Sequence, residues 1–247
     1  MRATGVLLAA LSVAALAAVP ADAARRPAVP IDRCVPRSER AKAISFRTGD
    51  HVRLSGVLLG SGRTGIVLSH ESNATLCNWL PFARVLAKAG YRVLAYDSRS
   101  AGASQLVLPR SSLKATYLHR DVIAGTKLLR ARGAKRIVVA GASIGGTSSI
   151  IAAPSIGSSL AAVVSLSAPA TEDALNAVAK VNVPTFFAAG RDDVDFAHDA
   201  QTFYDASPAA GKKIVIYPTG AHGTALLAGS QGAAARRALL DFLASSR

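Results

Sequence analysis

A serine, an aspartate and a histidine stand in this order along the chain, each beside small residues that suit a tight turn. Ser143 lies in Gly141-Ala142-Ser143-Ile144-Gly145, which follows an apolar, strand-like run and precedes a helical stretch. In this context the G-x-S-x-G pattern places a serine hydroxyl at a helix N-terminus, where backbone N–H groups stabilise negative charge. We predict that Ser143 is a nucleophile. The alternative is an ordinary strand-to-helix turn capped by Ser143.

A serine nucleophile needs a histidine to take its proton and a carboxylate to hold that histidine in the correct tautomer. His222 lies in a small-residue loop after the last predicted strand, which predicts the general base. The acid is expected after the preceding strand, where residues 190–195 offer several aspartates. The turn at position 190 favours Asp193, with Asp192 second and Asp195 third.

Short apolar runs alternate with segments of helical spacing over most of the chain. The runs predict strands at residues 43–47, 51–59, 65–69, 91–96, 137–142, 160–166, 185–189 and 213–217. The segments predict helices at residues 80–89, 113–132, 145–153, 172–179, 196–207 and 231–245. This alternation predicts a doubly wound α/β domain, with a mostly parallel sheet of about eight strands and helices on both faces. Reactive groups in such a sheet collect at the carboxyl ends of the strands.

Length and composition favour one exported domain. The 247 residues, half of them hydrophobic, suffice for one well-buried core. Residues 1–23 combine a charged start, an apolar middle and an Ala-x-Ala exit, which predicts a cleaved signal peptide. The alternative, a membrane anchor, needs roughly 20 apolar residues, more than this stretch supplies. Residues 24–40, rich in Pro and Arg, predict an extended arm, and residues 41–247 a single catalytic domain. We expect a secreted protein without stable membrane insertion.

The chain is strongly basic. Its net charge of +14 is unchanged when the predicted leader is removed, because the leader carries one basic and one acidic residue, Arg2 and Asp22. Such a charge attracts anionic polymers over a distance. The basic residues are scattered, however, and no basic run is interleaved with aromatic residues. We therefore expect no specific nucleic-acid binding and only weak electrostatic contact with an anionic cell-surface polymer.

Two cysteines, Cys34 and Cys77, fit one disulfide in an exported protein, and two buried, unpaired thiols are the alternative. The sequence has no cluster with metal-ligand spacing, and no glycine-rich fingerprint for a phosphate or a dinucleotide. We expect neither a metal nor a cofactor.

Taken together, these motifs resemble the α/β-hydrolase family, and most of all its compact, lidless esterase and dienelactone-hydrolase-like branch, over nearly all of the mature domain. In that family a strand ends in His-Gly, and a backbone N–H beyond it joins that of the residue after the nucleophile to form the oxyanion hole. The resemblance gives this role to Ile144 and to Ser72 or Glu71. Glu71 stands where the family usually has Gly, and its carboxylate would oppose a developing oxyanion if it faced one. Asp97 and Arg99 resemble residues of the family's next loop, which is usually structural.

The resemblance implies hydrolysis of carboxylic esters through an acyl-enzyme on Ser143. Between Pro169 and Pro184 the chain is too short for the helical cap of larger relatives, so we expect an open pocket for small-molecule esters or acylated polymers. Two alternatives stay open. One is an acyltransferase that uses the same triad, and the other is a binding protein that kept the fold but lost the chemistry because of Glu71.

Overall fold

The computed structural model describes residue 1, residues 29–108 and residues 115–246. The predicted signal peptide, apart from its first residue, lies outside the described residues. So do positions 24–28 of the predicted arm and the first positions of the helix predicted from residue 113. Among the described residues, no helix is both long and apolar enough to cross a membrane.

The described residues form one eight-stranded sheet, which confirms the predicted architecture. Its strands are β1 (Ala43–Arg47), β2 (Arg53–Leu59), β3 (Thr64–Ser69), β4 (Arg92–Asp97), β5 (Arg136–Ala142), β6 (Leu160–Leu166), β7 (Thr185–Gly190) and β8 (Lys213–Tyr217). They lie in the order β1-β2-β4-β3-β5-β6-β7-β8. β2 runs antiparallel to β1 and β4, and the other neighbours are parallel. The carboxyl ends of β3 to β8 therefore share one edge of the sheet.

Six α-helices within the described ranges cover the two faces of this sheet. They are α1 (Leu76–Lys88), α2 (Ala115–Ala131), α3 (Ile144–Ala152), α4 (Glu172–Val178), α5 (Val194–Ala206) and α6 (Gly232–Ser245). Successive side chains of a strand point to opposite faces. Val138 of β5 accordingly packs with Trp79 of α1 and Phe242 of α6 in a first core. Its neighbours Ile137 and Val139 pack with side chains of α2, α3, α4 and α5 in a second core.

α1 begins earlier than the sequence predicts, at Leu76 rather than at residue 80. Thr75 caps it, because its Oγ1 accepts a hydrogen bond from the Cys77 N–H at 3.3 Å. Asp97, from the end of β4, accepts from the Leu76 N–H at 2.9 Å. Pro81, which suggests a helix start nearby in the sequence, lies inside the helix instead. The start of α1 is therefore fixed in part by a residue from another strand.

The described part of the predicted arm is packed rather than extended. Arg37–Lys42 forms a short 3-10 helix, and Val35 is fully buried in the first core. Cys34 forms a disulfide with Cys77, with 5.9 Å between the Cα atoms. The arm is thereby joined to the first turn of α1.

Candidate active site

The turn between β5 and α3 has the strained backbone that the G-x-S-x-G pattern predicts. Ser143 lies between the two elements with φ 51° and ψ −127°, and Ile144 is the first residue of α3. A positive φ is unusual for a residue other than glycine and is held only where the surrounding structure enforces it. Here the Ser143 N–H donates to the Leu166 carbonyl of β6 at 2.8 Å. The turn is thus tied to the neighbouring strand.

Both glycines of this turn are required by close packing. A Cβ atom at Gly141 would lie 2.2 Å from the carbonyl carbon of Gly145. A Cβ atom at Gly145 would lie 2.4 Å from the Ser69 carbonyl oxygen at the end of β3. Only glycine permits backbones to approach this closely. The turn that carries Ser143, between β5 and α3, is therefore in direct contact with the loop that follows β3.

The structure brings His222 and Asp193 together. His222 Nδ1 lies 2.8 Å from Asp193 Oδ2, and their side chains are 34% and 14% exposed. Asp193 directly follows the turn after β7 and His222 lies in the loop after β8, so both come from the carboxyl edge of the sheet. Asp192 instead points to solvent, 62% exposed and 3.5 Å from Arg191. Asp195 is exposed as well. Of the three aspartates, Asp193 is the one hydrogen-bonded to His222.

The loop that carries His222 is packed on two sides. The ring of Phe196, from α5, lies edge-on to the His222 imidazole with 4.4 Å between centroids. Gly223, the next residue, contacts the nucleophile strand, since a Cβ atom there would lie 3.3 Å from the Cβ of Ala142. The His222 loop therefore rests against the residue that precedes Ser143. With Nδ1 bonded to Asp193, Nε2 is the nitrogen left to exchange a proton.

The residues assigned to the oxyanion hole meet at one cavity of about 310 Å³, which Ile144, Ser72 and Glu71 all line. As the first residue of α3, Ile144 has an N–H that a helix leaves without an intrahelical partner. The Glu71 carbonyl faces His70, whose Nδ1 lies 2.7 Å away. In a trans peptide the N–H of Ser72 points opposite to that carbonyl. The Ser72 N–H therefore points away from the His70 ring.

His70 joins the loop after β3 to the loop after β4. The Ser98 N–H donates to its Nε2 at 3.0 Å, so the ring proton sits on Nδ1 and is donated to the Glu71 carbonyl. The side chain is almost fully buried, and burial lowers the pKa of His70. The imidazole is therefore neutral and fixes the Glu71–Ser72 peptide.

Glu71 does not leave its side chain free beside the cavity. Its Oε1 accepts hydrogen bonds from Asn78 Nδ2 at 3.1 Å and from Thr224 Oγ1. Among the described residues, Oε2 is buried without a hydrogen-bond partner. The carboxylate is thus held by α1 and by the short helix that follows His222.

Asp97 and Arg99 have structural partners, in agreement with the sequence interpretation. The two carboxylate oxygens of Asp97 accept from the N–H groups of Leu76 and Ala103, both at 2.9 Å. Burial raises the pKa of Asp97 to about 6. Arg99 is buried and forms ion pairs with Asp50 at 2.8 Å and Asp121 at 2.7 Å.

One group of potential metal ligands occurs among the described residues, formed by Asp32, Cys34 and Cys77. The two sulfur atoms are bonded to each other. Because metal binding by cysteine requires the thiolate, this group is a disulfide beside a carboxylate.

A sheet of this strand order, with a strained serine turn and an aspartate–histidine pair at its carboxyl edge, defines a protein of the α/β-hydrolase fold. The sequence matches the model of the alpha/beta hydrolase fold family over residues 57–222. The chain belongs to this family. A search among curated proteins finds no match.

Solved structures of similar fold include an esterase from Pyrococcus furiosus, with a TM-score of 0.72, 21% identity, and coverage of 83% of this chain and 90% of that one. A monoacylglycerol lipase from Paleococcus ferrophilus has a TM-score of 0.69 and 14% identity, covering 78% of this chain and 99% of the other. A dienelactone hydrolase from Anabaena variabilis has a TM-score of 0.67 and 24% identity, covering 82% and 96%. These likenesses confirm the family resemblance and concern the fold.

Several contacts of the site have no signature in the sequence. Phe196 beside His222, and Asn78 and Thr224 beside Glu71, belong to no motif. Glu71 and Thr224 are 153 positions apart. Of these residues the sequence marks Glu71, because an acidic residue stands where the family resemblance leads one to expect glycine.

Proposed function

We propose that this chain is a secreted serine hydrolase that cleaves carboxylic esters through an acyl-enzyme on Ser143. In this proposal His222 is the general base and Asp193 orients it. The backbone N–H groups of Ile144 and Ser72 form the oxyanion hole.

The observation that carries the proposal is the 2.8 Å hydrogen bond between His222 and Asp193, in a loop packed against the strained turn of Ser143. A histidine whose Nδ1 is held by a carboxylate keeps its Nε2 in the state that accepts a proton. Such a histidine activates a serine that is held on a sharp turn at a helix N-terminus. The turn of Ser143 and the loop of His222, which a hydrolytic site needs side by side, therefore adjoin one another.

The mechanism follows from these roles. Ser143 Oγ attacks the ester carbonyl carbon while His222 Nε2 takes its proton, and the carbonyl oxygen becomes an oxyanion facing the N–H groups of Ile144 and Ser72. The tetrahedral intermediate collapses, and His222 returns the proton to the leaving alcohol. Water then attacks the acyl-enzyme by the same proton transfers and releases the acid. Asp193 stabilises the imidazolium formed in each half of the cycle.

The cavity supports small substrates. Its volume of about 310 Å³ is near the lower end for small-molecule sites. Apolar groups of Leu118, Ala101 and Ile144 line it together with the polar loops after β3 and β4. The interval between Pro169 and Pro184 contains α4, whose Ala174 is buried in the second core. This helix packs against α3 and α5, in keeping with a site that has no cap there.

The names of the similar structures also support ester hydrolysis. Two are described as an esterase and a monoacylglycerol lipase, and a third as a dienelactone hydrolase. They support a hydrolase acting on esters. Acyl transfer to an acceptor other than water uses the same triad and is distinguished by its product.

Secretion is part of the proposal. The leader-like composition of residues 1–23 and the disulfide between Cys34 and Cys77 support export to an oxidising compartment. The net charge of +14 supports weak attraction to an anionic cell-surface polymer. Mass spectrometry of protein recovered from the culture medium tests the leader, with a mature N-terminus expected at Ala24.

The test of activity combines fluorophosphonate labelling with hydrolysis of p-nitrophenyl acetate and butyrate. Wild type is expected to label and to turn over, whereas Ser143→Ala and His222→Ala lose at least about 10³-fold in kcat. The matched controls are Ser61→Ala, at an exposed serine near the opposite edge of the sheet, and His198→Ala, at an exposed histidine of α5. Both controls are expected to behave as wild type.

The outcomes separate the functions considered. Labelling and turnover that depend on Ser143 support the serine hydrolase, and identification of the released acid excludes acyl transfer under the assay conditions. Folded wild type that neither labels nor turns over would overturn the proposal and favour a binding protein with this fold.

A further inference from the structure

The side chain of Glu71 connects two loops of the candidate active site. Glu71 belongs to the loop between β3 and α1. We call this segment the oxyanion loop, because in the proposed function it supplies the Ser72 N–H. Its Oε1 accepts from Asn78 Nδ2 in α1 at 3.1 Å and from Thr224 Oγ1. Thr224 belongs to the short 3-10 helix Gly223–Leu227, whose N-cap residue is His222. One carboxylate oxygen therefore joins the oxyanion loop to the loop of the general base.

The backbone beside His222 lies close to both Glu71 and the carboxyl end of β5. A Cβ atom at Gly223 would lie 3.6 Å from Glu71 Oε2 and 3.3 Å from the Ala142 Cβ. Gly223 has a φ of 56°, in the left-handed region that favours glycine. The residue next to His222 is therefore close both to Glu71 and to the residue that precedes Ser143.

The buried Oε2 atom makes this arrangement costly. Within the described part of the chain it has no hydrogen-bond partner, and an unpaired buried oxygen lowers stability. A glycine at this position would avoid that cost but would leave the Thr224 hydroxyl without its acceptor. Among the described residues, this side chain therefore links two loops through one oxygen and leaves the other unpaired.

We propose that Glu71 is a positioning residue, which holds the His222 loop against the oxyanion loop through Thr224. Its role rests on the proposed function. Through this contact, the proton acceptor at His222 Nε2 and the oxyanion donors at Ser72 and Ile144 keep one relative geometry. The acidic residue in place of the family's usual glycine thus supports the reaction, because its carboxylate is engaged by Thr224 and Asn78.

The test compares substitutions that remove the acceptor with substitutions that keep it. Glu71→Leu has a similar size and no acceptor, whereas Glu71→Gln keeps an oxygen for Thr224 and Asn78. Thr224→Val removes the hydroxyl, and Thr224→Ser keeps it. We expect Glu71→Leu and Thr224→Val to lower kcat by roughly 10-fold to 100-fold, since displacements of about 1 Å are costly at a reaction centre. KM for p-nitrophenyl acetate is expected to stay within about 2-fold, and Gln and Ser are expected to retain most of kcat.

A double substitution tests whether Glu71 acts through Thr224. If it does, Glu71→Leu/Thr224→Val loses no more in kcat than the more damaging single change, because the second change removes a contact already broken. Losses that multiply would show that the two residues act independently, and would overturn the proposal.

The structural control is Glu39→Gln. Glu39 is a second carboxylate bound to α1, through Arg84 at 2.9 Å, and lies outside the site. We expect it to change the thermal midpoint without changing kcat. Each variant is assayed below its own thermal midpoint, and Thr224→Val serves where Glu71→Leu does not fold.

The failure of this inference differs from the failure of the proposed function. Wild type that does not react with a fluorophosphonate overturns both. Wild type and folded Glu71→Leu that label at equal rates, or Glu71→Gln that loses as much kcat as Glu71→Leu, overturn only the role of Glu71.

Discussion

At the residue scale, the choice among the three aspartates has a direct test. In Asp193→Asn an amide N–H replaces one carboxylate oxygen, so the side chain no longer holds the His222 tautomer with its proton on Nδ1. We expect kcat/KM for p-nitrophenyl acetate to fall by roughly 10³-fold to 10⁴-fold, with the fold retained. Asp192→Asn is the matched control, since Asp192 is largely exposed and its carboxylate lies 3.5 Å from Arg191 rather than against His222. An equal loss in both variants would contradict the assignment of Asp193.

The residues of the proposed triad can be selected from the sequence because each proposed role is tied to a local pattern. Ser143 is marked by glycines at fixed spacing, and His222 by a short loop after the last strand. Asp193 is one of three candidates until the turn after β7 orients each side chain. The contact of Glu71 with Thr224 cannot be predicted in this way. It joins residues 153 positions apart, and only the packing of two loops brings them together.

At the element scale, the turn that carries Ser143 and the oxyanion loop are packed closely. A single added methyl group is therefore expected to separate them. In Gly145→Ala the new Cβ would lie 2.4 Å from the Ser69 carbonyl oxygen and 2.5 Å from that of His70. Both contacts are backbone atoms, so the loop after β3 must move. We expect a loss of about 1–3 kcal/mol in the free energy of unfolding, typical of overpacking, and a loss of fluorophosphonate labelling in the protein that remains folded.

Gly49→Ala is the control for this substitution. Gly49 lies in the turn between β1 and β2, where a Cβ atom would meet no atom within 4 Å. Chemical denaturation should give a free energy of unfolding close to that of wild type, and labelling should be unchanged. Wild-type labelling in Gly145→Ala would show that the contact between turn and loop does not matter for the site.

The loops after β3 and β4 are joined by His70, and this contact predicts a pH dependence of stability. Burial lowers the pKa of His70 in the folded protein, whereas in the unfolded chain it is about 6.5. As the pH falls below that value, the unfolded chain binds a proton that the folded protein does not. The free energy of unfolding therefore decreases, by up to about 1.4 kcal/mol per pH unit. His70→Gln removes this dependence.

The measurement is urea denaturation of wild type and His70→Gln between pH 5 and pH 8. The stability advantage of wild type is expected to be largest above pH 7 and to shrink towards pH 5. Asp97, whose pKa burial raises to about 6, titrates in the same range with the opposite sign. It is present in both proteins, so it cancels in their difference. A constant difference across this range would show that His70 does not remain neutral on folding.

The elements themselves follow from the sequence, but their ends do not always do so. The strands β3 to β7 are short apolar runs buried on both faces, a pattern that local composition reveals. α1 is the exception at its start, because Thr75 and Asp97 stabilise Leu76 in a helical position before the apolar spacing is evident. Asp97 comes from another strand. The sequence around α1 does not contain that information, although this helix start ends the oxyanion loop.

At the scale of the whole molecule, the sheet explains why residues so far apart in sequence meet. β3, β5, β7 and β8 are parallel members of one sheet, so the loops that follow them open at one edge. Two cores hold the helices on opposite faces of the sheet. The site is therefore formed by loops whose relative positions are fixed by a rigid sheet.

The disulfide is the one covalent link that acts on the whole chain rather than on the site. Cys34 and Cys77 are 43 positions apart, and closing a loop of this length in the unfolded chain is worth about 4 kcal/mol in the chain-entropy model. We expect Cys34→Ser/Cys77→Ser to lower the thermal midpoint by roughly 10 °C. Cys77 lies in the first turn of α1, directly after the oxyanion loop. The start of α1 has, however, two further anchors in Thr75 and Asp97.

These anchors predict that stability and activity respond differently to loss of the disulfide. At 25 °C, where the variant is folded, kcat for p-nitrophenyl acetate should remain within about 2-fold of wild type, because the reacting groups keep their positions. Calorimetry and steady-state kinetics on the same samples measure both quantities, and wild type treated with reductant should match the double variant. A large fall in kcat with an unchanged thermal midpoint would reverse this assignment. It would place the disulfide among the contacts that hold the oxyanion loop, because Cys77 lies at the start of α1, directly after that loop.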